Sequence, residues 1–94
     1  MAKNATVQVP AKTWTELTDA DVTAITFQNR SDYDVFIVVQ TTDTSPAGFD
    51  DALVYAPGHG ERNVALSDLA PGLTSPDRVF AYCRQNAEVF VSHA

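Results

Sequence analysis

The sequence predicts an all-β protein, a small antiparallel β-sandwich or jelly-roll-like barrel of about seven or eight strands. Three observations carry that prediction. Val and Thr are abundant and Lys is scarce, a balance that suits pleated, half-buried strands. Short apolar runs are separated by turn signals at roughly 8–12-residue intervals, the spacing of sandwiches and barrels. No 10–15-residue amphipathic helical pattern lies between the runs, as an α/β fold would require.

The runs justify the elements in order. Thr6–Val9 alternates, with Val7 and Val9 on one side, and Pro10 stops it or confines it to a sheet edge. Thr13–Leu17 is a β-branched stretch that ends in polar Thr18-Asp19-Ala20-Asp21. Val22–Asn29 places Thr23, Ile25, Phe27 and Asn29 on one face and Val22, Ala24, Thr26 and Gln28 on the other. Asn29-Arg30-Ser31-Asp32 is a turn. Asp34–Gln40 is apolar on both faces, which predicts a strand in the middle of a sheet, covered on both sides.

Thr41–Ala52 is the longest irregular segment, and Leu53-Val54-Tyr55 is a short strand after it. Ala56-Pro57-Gly58-His59-Gly60 is a turn, because Pro presets φ and Gly supplies positive φ. Glu61–Leu66 is the next strand, and the loop from Ser67 to Asp77 opens with a single helical turn. Arg78–Cys83 and Glu88–Ser92, joined by Gln85-Asn86-Ala87, form the closing hairpin.

The 94 residues bound the chain to one domain, residues 1–94, with 1–9 as a docking arm that orders on contact. The net charge of −6 and six scattered basic residues provide no stripe for displacing phosphate counterions, so no nucleic-acid partner is expected. The N-terminus has no apolar signal-peptide core and no run approaches a membrane span. Synthesis in the cytoplasm and no membrane partner are therefore expected. One cysteine, Cys83, excludes an intrachain disulfide and a Cys-rich zinc site.

Catalytic and metal signatures are weak, and no cofactor is expected. Cys83 lies beside Arg84, and His59 and His93 are the only histidines, but no triad can be assembled from their spacing. Cys83 reads better as a small buried residue on a core strand. Asp19-x-Asp21, Asp32-x-Asp34 and Asp50-Asp51 offer oxygen ligands without EF-hand spacing, and read as turn-forming, solvated carboxylates. Only four glycines are present, with no phosphate-cradling pattern. Trp14, Tyr33, Phe49 and Tyr55 are the candidates for sugar-stacking platforms, weighed against a place in the core or at a subunit interface.

The strongest pointer to an interface is the run that is apolar on both faces. So small a core absorbs one face, Val35, Ile37 and Val39. The other, Phe36 and Val38, needs a cover: a second copy of the chain or the Thr41–Ala52 loop folded over it. The candidate contact residues are Phe36, Val38, Phe49 and Tyr55.

The order of segments is also familiar: Trp14-Thr15-Glu16-Leu17-Thr18, then Ile25 to Ser31 with its Asn-x-Ser ending. The hydrophobic Val35–Val39 strand follows, then a Thr/Ser/Pro-rich loop, Leu53 to Gly58 with its Pro-Gly turn, and the closing Val79–Val91 segment. This arrangement resembles the small β-sandwich virion proteins of tailed bacteriophages and phage-like particles, those that serve as head decoration proteins or head spike bases. The resemblance implies a non-enzymatic structural protein of the virion that binds the capsid exterior. Its partners would be the major capsid protein, further copies of itself in a homo-oligomer, and a spike or fibre protein. A tail-fibre anchor or baseplate accessory, or a small carbohydrate-binding module, is the alternative expectation.

Overall fold

The computed structural model describes residues 2–94, so Met1 of the expected domain and arm lies outside the described residues. Eight strands and one helical turn follow in order: β1 Lys3–Val9, β2 Thr15–Glu16, β3 Ala24–Asn29, β4 Val35–Gln40, β5 Leu53–Tyr55, β6 Gly60–Ala65, α1 Leu66–Leu69, β7 Arg78–Tyr82 and β8 Ala87–His93. They form two four-stranded antiparallel sheets, β1-β8-β3-β6 and β2-β7-β4-β5. The expected all-β sandwich is what the chain forms.

The pairing is nested. β1 pairs with β8, β2 with β7, β3 with β6 and β4 with β5, as in one long hairpin whose tip is the Thr41–Ala52 loop. Rolling that hairpin adds the pairs β3·β8 and β4·β7, and the result is a jelly roll. Only β4 and β5 are consecutive strands paired with each other. The closing segment is therefore not a hairpin: β7 and β8 lie in different sheets, and Gln85-Asn86 carries the chain across between them. β8 finds its partners in β1 and β3 instead, because its Val89 and Val91 complete the apolar row of that sheet.

The core lies between the sheets. Ile25 and Phe27 of β3, Val35, Ile37 and Val39 of β4, Val79 and Ala81 of β7, and Val89 and Val91 of β8 are all buried in it. The period-two reading holds within β3, with Ile25, Phe27 and Asn29 inward and Gln28 exposed, but fails ahead of it, where the chain is not yet in the sheet and Val22 is buried in the core while Thr23 is exposed. β4 lies between β7 and β5, as its two apolar faces predict. The helical turn α1 begins at Leu66, whose side chain is fully buried and whose N–H donates to the Thr23 carbonyl at 2.9 Å.

The segment expected to be a free docking arm is an edge strand. Lys3–Val9 is in register with β8 from Lys3↔His93 to Val9↔Ala87, and Val9 is buried in the core. Each residue of that register gains a ladder contact that a free arm would forgo, and Lys3 Nζ is further fixed on Asp19 at 2.7 Å.

Two glycines answer to backbone geometry. Gly58 has φ +82°, which an L side chain rarely adopts. Gly60 opens β6 where the β3 backbone is closest, and a Cβ there would run into the Phe27 carbonyl oxygen.

Candidate functional site

The outer faces of the two sheets differ in chemistry. On β1-β8-β3-β6 the outward row is mostly polar: Asn4, Thr6 and Gln8 on β1, Glu88 and Ser92 on β8, and Thr26 and Gln28 on β3, with Phe90 the large apolar member. On β2-β7-β4-β5 the outward row is Phe36 and Val38 of β4 beside Tyr82 and Phe80 of β7.

That second row is the base of an aromatic cluster. Phe49, carried in by the Thr41–Ala52 loop, lies 4.8 Å from the Tyr82 ring and 5.2 Å from the Phe36 ring, centroid to centroid. Trp14, just before β2, lies 5.2 Å from Tyr82 and 5.5 Å from Phe49. Arg84 holds its guanidinium 5.1 Å from the centroid of Phe36, a cation–π contact worth roughly 0.5–1 kcal/mol at an exposed site. The loop is anchored at its start, where Gln40 Nε2 donates to the Thr44 carbonyl, and turns at its far end, where the Ala52 N–H donates to the Phe49 carbonyl.

The four sequence-predicted contact residues separate accordingly. Phe36 and Phe49 meet in the cluster, with Phe49 still 44% exposed. Val38 belongs to the same face but is only 4% exposed within the single chain, as is its neighbour Phe80 at 2%. Of the two covers the sequence allowed, the loop thus brings a ring onto this face. Tyr55 does not join the cluster. It pairs with Val35, turns its ring edge-on to Phe27 at 4.9 Å, and donates its hydroxyl to Glu61 Oε2 at 3.1 Å. Burial first, and then the Glu61 carboxylate, push its pKa up to about 12. Beside Tyr55, Val54 is 58% exposed and pairs with Phe36, which extends the apolar face to the sheet edge.

Tyr82 and Arg84 escaped the sequence reading. The signal was present, since Arg78–Cys83 is apolar in both phases: Val79, Ala81 and Cys83 inward, Phe80 and Tyr82 outward. Asn29 escaped as well. It is 1% exposed and donates from Nδ2 to the carbonyls of Tyr33 at 2.6 Å and Tyr55 at 3.0 Å. Its Oδ1 accepts from the N–H and the hydroxyl of Ser31. Asn29 thus ties the end of β3 to the end of β5 in the other sheet, a structural role. Its position on the same face as Ile25 and Phe27 was the available clue.

Cys83, His93, Asp19 and Asp21, all considered for chemistry, have structural partners. Cys83 is fully buried and its thiol points to the Asp34 carbonyl at 3.4 Å. His93 accepts from the Asp19 N–H at 3.4 Å, and His59 lies in the exposed turn before β6. Asp19 is paired with Lys3, which holds its carboxyl below the usual range, and Asp21 is paired with Arg78 at 2.9 Å. Arg78 also binds Glu16 at 2.8 Å, and the two carboxylates raise its already high pKa further. Among the described residues, no group of three or more His, Cys, Asp or Glu side chains converges as a metal site.

Comparison with known protein families, with curated proteins and with solved structures gives no match to this chain.

Proposed function

We propose that the protein is a non-enzymatic structural component of a bacteriophage or phage-like particle. It docks on the capsid exterior as a decoration protein or as the base of a head spike or fibre. Its partners are the major capsid protein, a spike or fibre protein, and further copies of itself. The observation that carries the reading is the aromatic cluster on the outer face of β2-β7-β4-β5. Aromatic residues and Arg are enriched at protein interfaces, and this face combines exposed Phe49 and Val54 with Arg84.

Jelly rolls serve viral shells and lectins alike, so the fold alone does not choose between them. The geometry of the rings favours a protein partner. Phe49 meets Tyr82 at 77° and Phe36 meets Tyr82 at 86°, Trp14 is tilted by 35° and 48° against Phe49 and Tyr82, Phe36 is tilted by 58° against Phe49, and Arg84 lies over the Phe36 face. Rings packed edge to face form a lobed apolar surface, whereas a sugar stacks on a flat, open ring face.

The deciding experiment is quantitative mass spectrometry of purified particles, comparing this chain with the major capsid protein. A copy number set by the symmetry of the head supports the reading. A copy number matching the tail moves the protein to a fibre anchor or baseplate accessory. Absence from particles overturns it, and glycan binding by the isolated chain would then favour the carbohydrate-binding module. On shells, Phe49→Ala is expected to weaken docking by about tenfold or more.

A further inference from the structure

The sandwich has four strand edges, and three of them are blunted. β2 is two residues long and β5 is three. β6 carries Glu61 and Arg62, faces a register shift in β3, and has Asn63 at φ 45°. Short length, charge and bulges are the devices that keep an edge from pairing with another chain. β1 has none of them between Asn4 and Val9; Lys3 and Pro10 bracket that stretch. It is seven residues long, runs against β8 without a register shift, and from Asn4 to Val9 contains no charged residue. Its one cation, Lys3, is held by Asp19. Among the described residues, no backbone group of β1 bonds to anything but β8. The alternate N–H and C=O groups on the other side of the strand form an open ladder.

We infer that this edge pairs with the same edge of a second copy, giving a two-fold dimer with one continuous eight-stranded sheet. Two observations select a second copy as the occupant. The first is register. The antiparallel, fully overlapped alignment of β1 with itself is centred on Thr6. It sets Thr6 against Thr6, Ala5 against Val7, Asn4 against Gln8 and Lys3 against Val9, with no like charges opposed. The central Thr–Thr cross-strand pair is favourable, and a two-fold contact must be self-complementary in this way.

The second is charge. The chain carries a net −6, so two copies repel wherever carboxylates line the contact. β6 presents Glu61, and β5 follows Asp50-Asp51, whereas β1 has no carboxylate of its own and the two beside it, Asp19 and Glu88, are held by Lys3 and Gln8. β1 also has apolar surface left to cover. Ala5 shares the inward row with buried Val9 yet is exposed, and Val7 is half-buried. Pairing puts each of them beside its counterpart in the second copy.

This inference rests on the self-association in the proposed function and not on the particle. The test uses the full chain in solution. Sedimentation equilibrium over a wide concentration range is expected to show a reversible monomer–dimer equilibrium. Thr6 is exposed on the solvent face of its sheet, so Thr6→Lys and Thr6→Glu leave the fold intact by circular dichroism. Each variant alone opposes like charges at the two-fold axis and is expected to weaken the dimer by about fivefold or more. An equimolar mixture of the two opposes unlike charges and restores it. A wild-type chain that stays monomeric throughout overturns the inference, as does a dimer indifferent to both variants or a mixture that fails to recover. Each of those results leaves the copy number on particles unaffected, so the two readings fail separately.

Discussion

The two sheets close over one core but meet the outside differently. β1-β8-β3-β6 turns a mostly polar row outward, while β2-β7-β4-β5 turns out Phe36, Val38, Phe80 and Tyr82 and recruits Trp14 and Phe49 to them. The contrast separates two roles that a small sandwich otherwise merges. Strict apolar–polar alternation holds a sheet against the core. Apolar residues in both phases provide a second surface, which here is partly filled from within the chain and partly left open at Phe49 and Val54.

The contrast can be broken at its supports. The largest effect is expected at the polar sheet, from Gly60→Ala. The added methyl group collides with the Phe27 carbonyl and β6 cannot stay paired with β3, a loss of about 4 kcal/mol or more in urea unfolding. Asn29→Ala acts between the sheets. It removes the amide that donates to the Tyr33 and Tyr55 carbonyls and accepts from Ser31, while Tyr33 keeps only the Ser31 hydroxyl, and about 2 kcal/mol is expected to be lost in the same measurement.

The outer faces themselves are compared by a matched pair. Phe36→Asp removes two ring contacts and the Arg84 contact and is expected to cost about 2 kcal/mol together with docking on shells. Gln28→Asp on the polar face gives up only the exposed hydrogen bond to the Gly58 carbonyl and is expected to cost about 1 kcal/mol or less. Equal costs at both positions would erase the distinction.

Protonation gives the smallest effects. Tyr55 binds its proton more tightly when folded, with a pKa raised from 10.0 to about 12. Its contribution to stability is fully present below pH 10 and is lost as the pH rises through 12, and Tyr55→Phe removes that part of the alkaline slope. Asp19 has the opposite sign. Its pKa is lowered from 3.8, chiefly by the hydrogen bond from Lys3, so its contribution is present above 3.8 and fades as the pH falls through the lowered value. Lys3→Ala is expected to flatten that acid slope in thermal unfolding.

Much of this architecture was legible in the residues. The inward phase of β3, the central position of β4 and the edge position of β1 follow from alternation, from a run apolar in both phases and from Pro10. The phase of β5 did not follow. Three residues carry too little alternation to show that Tyr55 turns inward, and only its pairing with Val35 decides it. The crossing between β7 and β8 was equally hidden, because a short turn between two apolar runs looks the same whether it closes a hairpin or bridges two sheets. The aromatic cluster was half visible: Phe36 and Phe49 were legible, but Trp14 and Tyr82 come together with them only after the chain has rolled.

The nested pairing has a kinetic consequence. The strand latest in the chain, β8, sits inside its sheet between β1 and β3, and its partner β1 comes from the opposite end of the sequence. Only the β4–β5 tip closes a short loop, and every other pair must close a longer one. Loop-closure entropy is spent before most contacts form, so folding belongs to the slow, millisecond-to-second class of non-local β topologies. A nascent chain ending before Ala87 lacks the strand that joins β1 to β3, so the β1-β8-β3-β6 sheet is completed only once β8 is available.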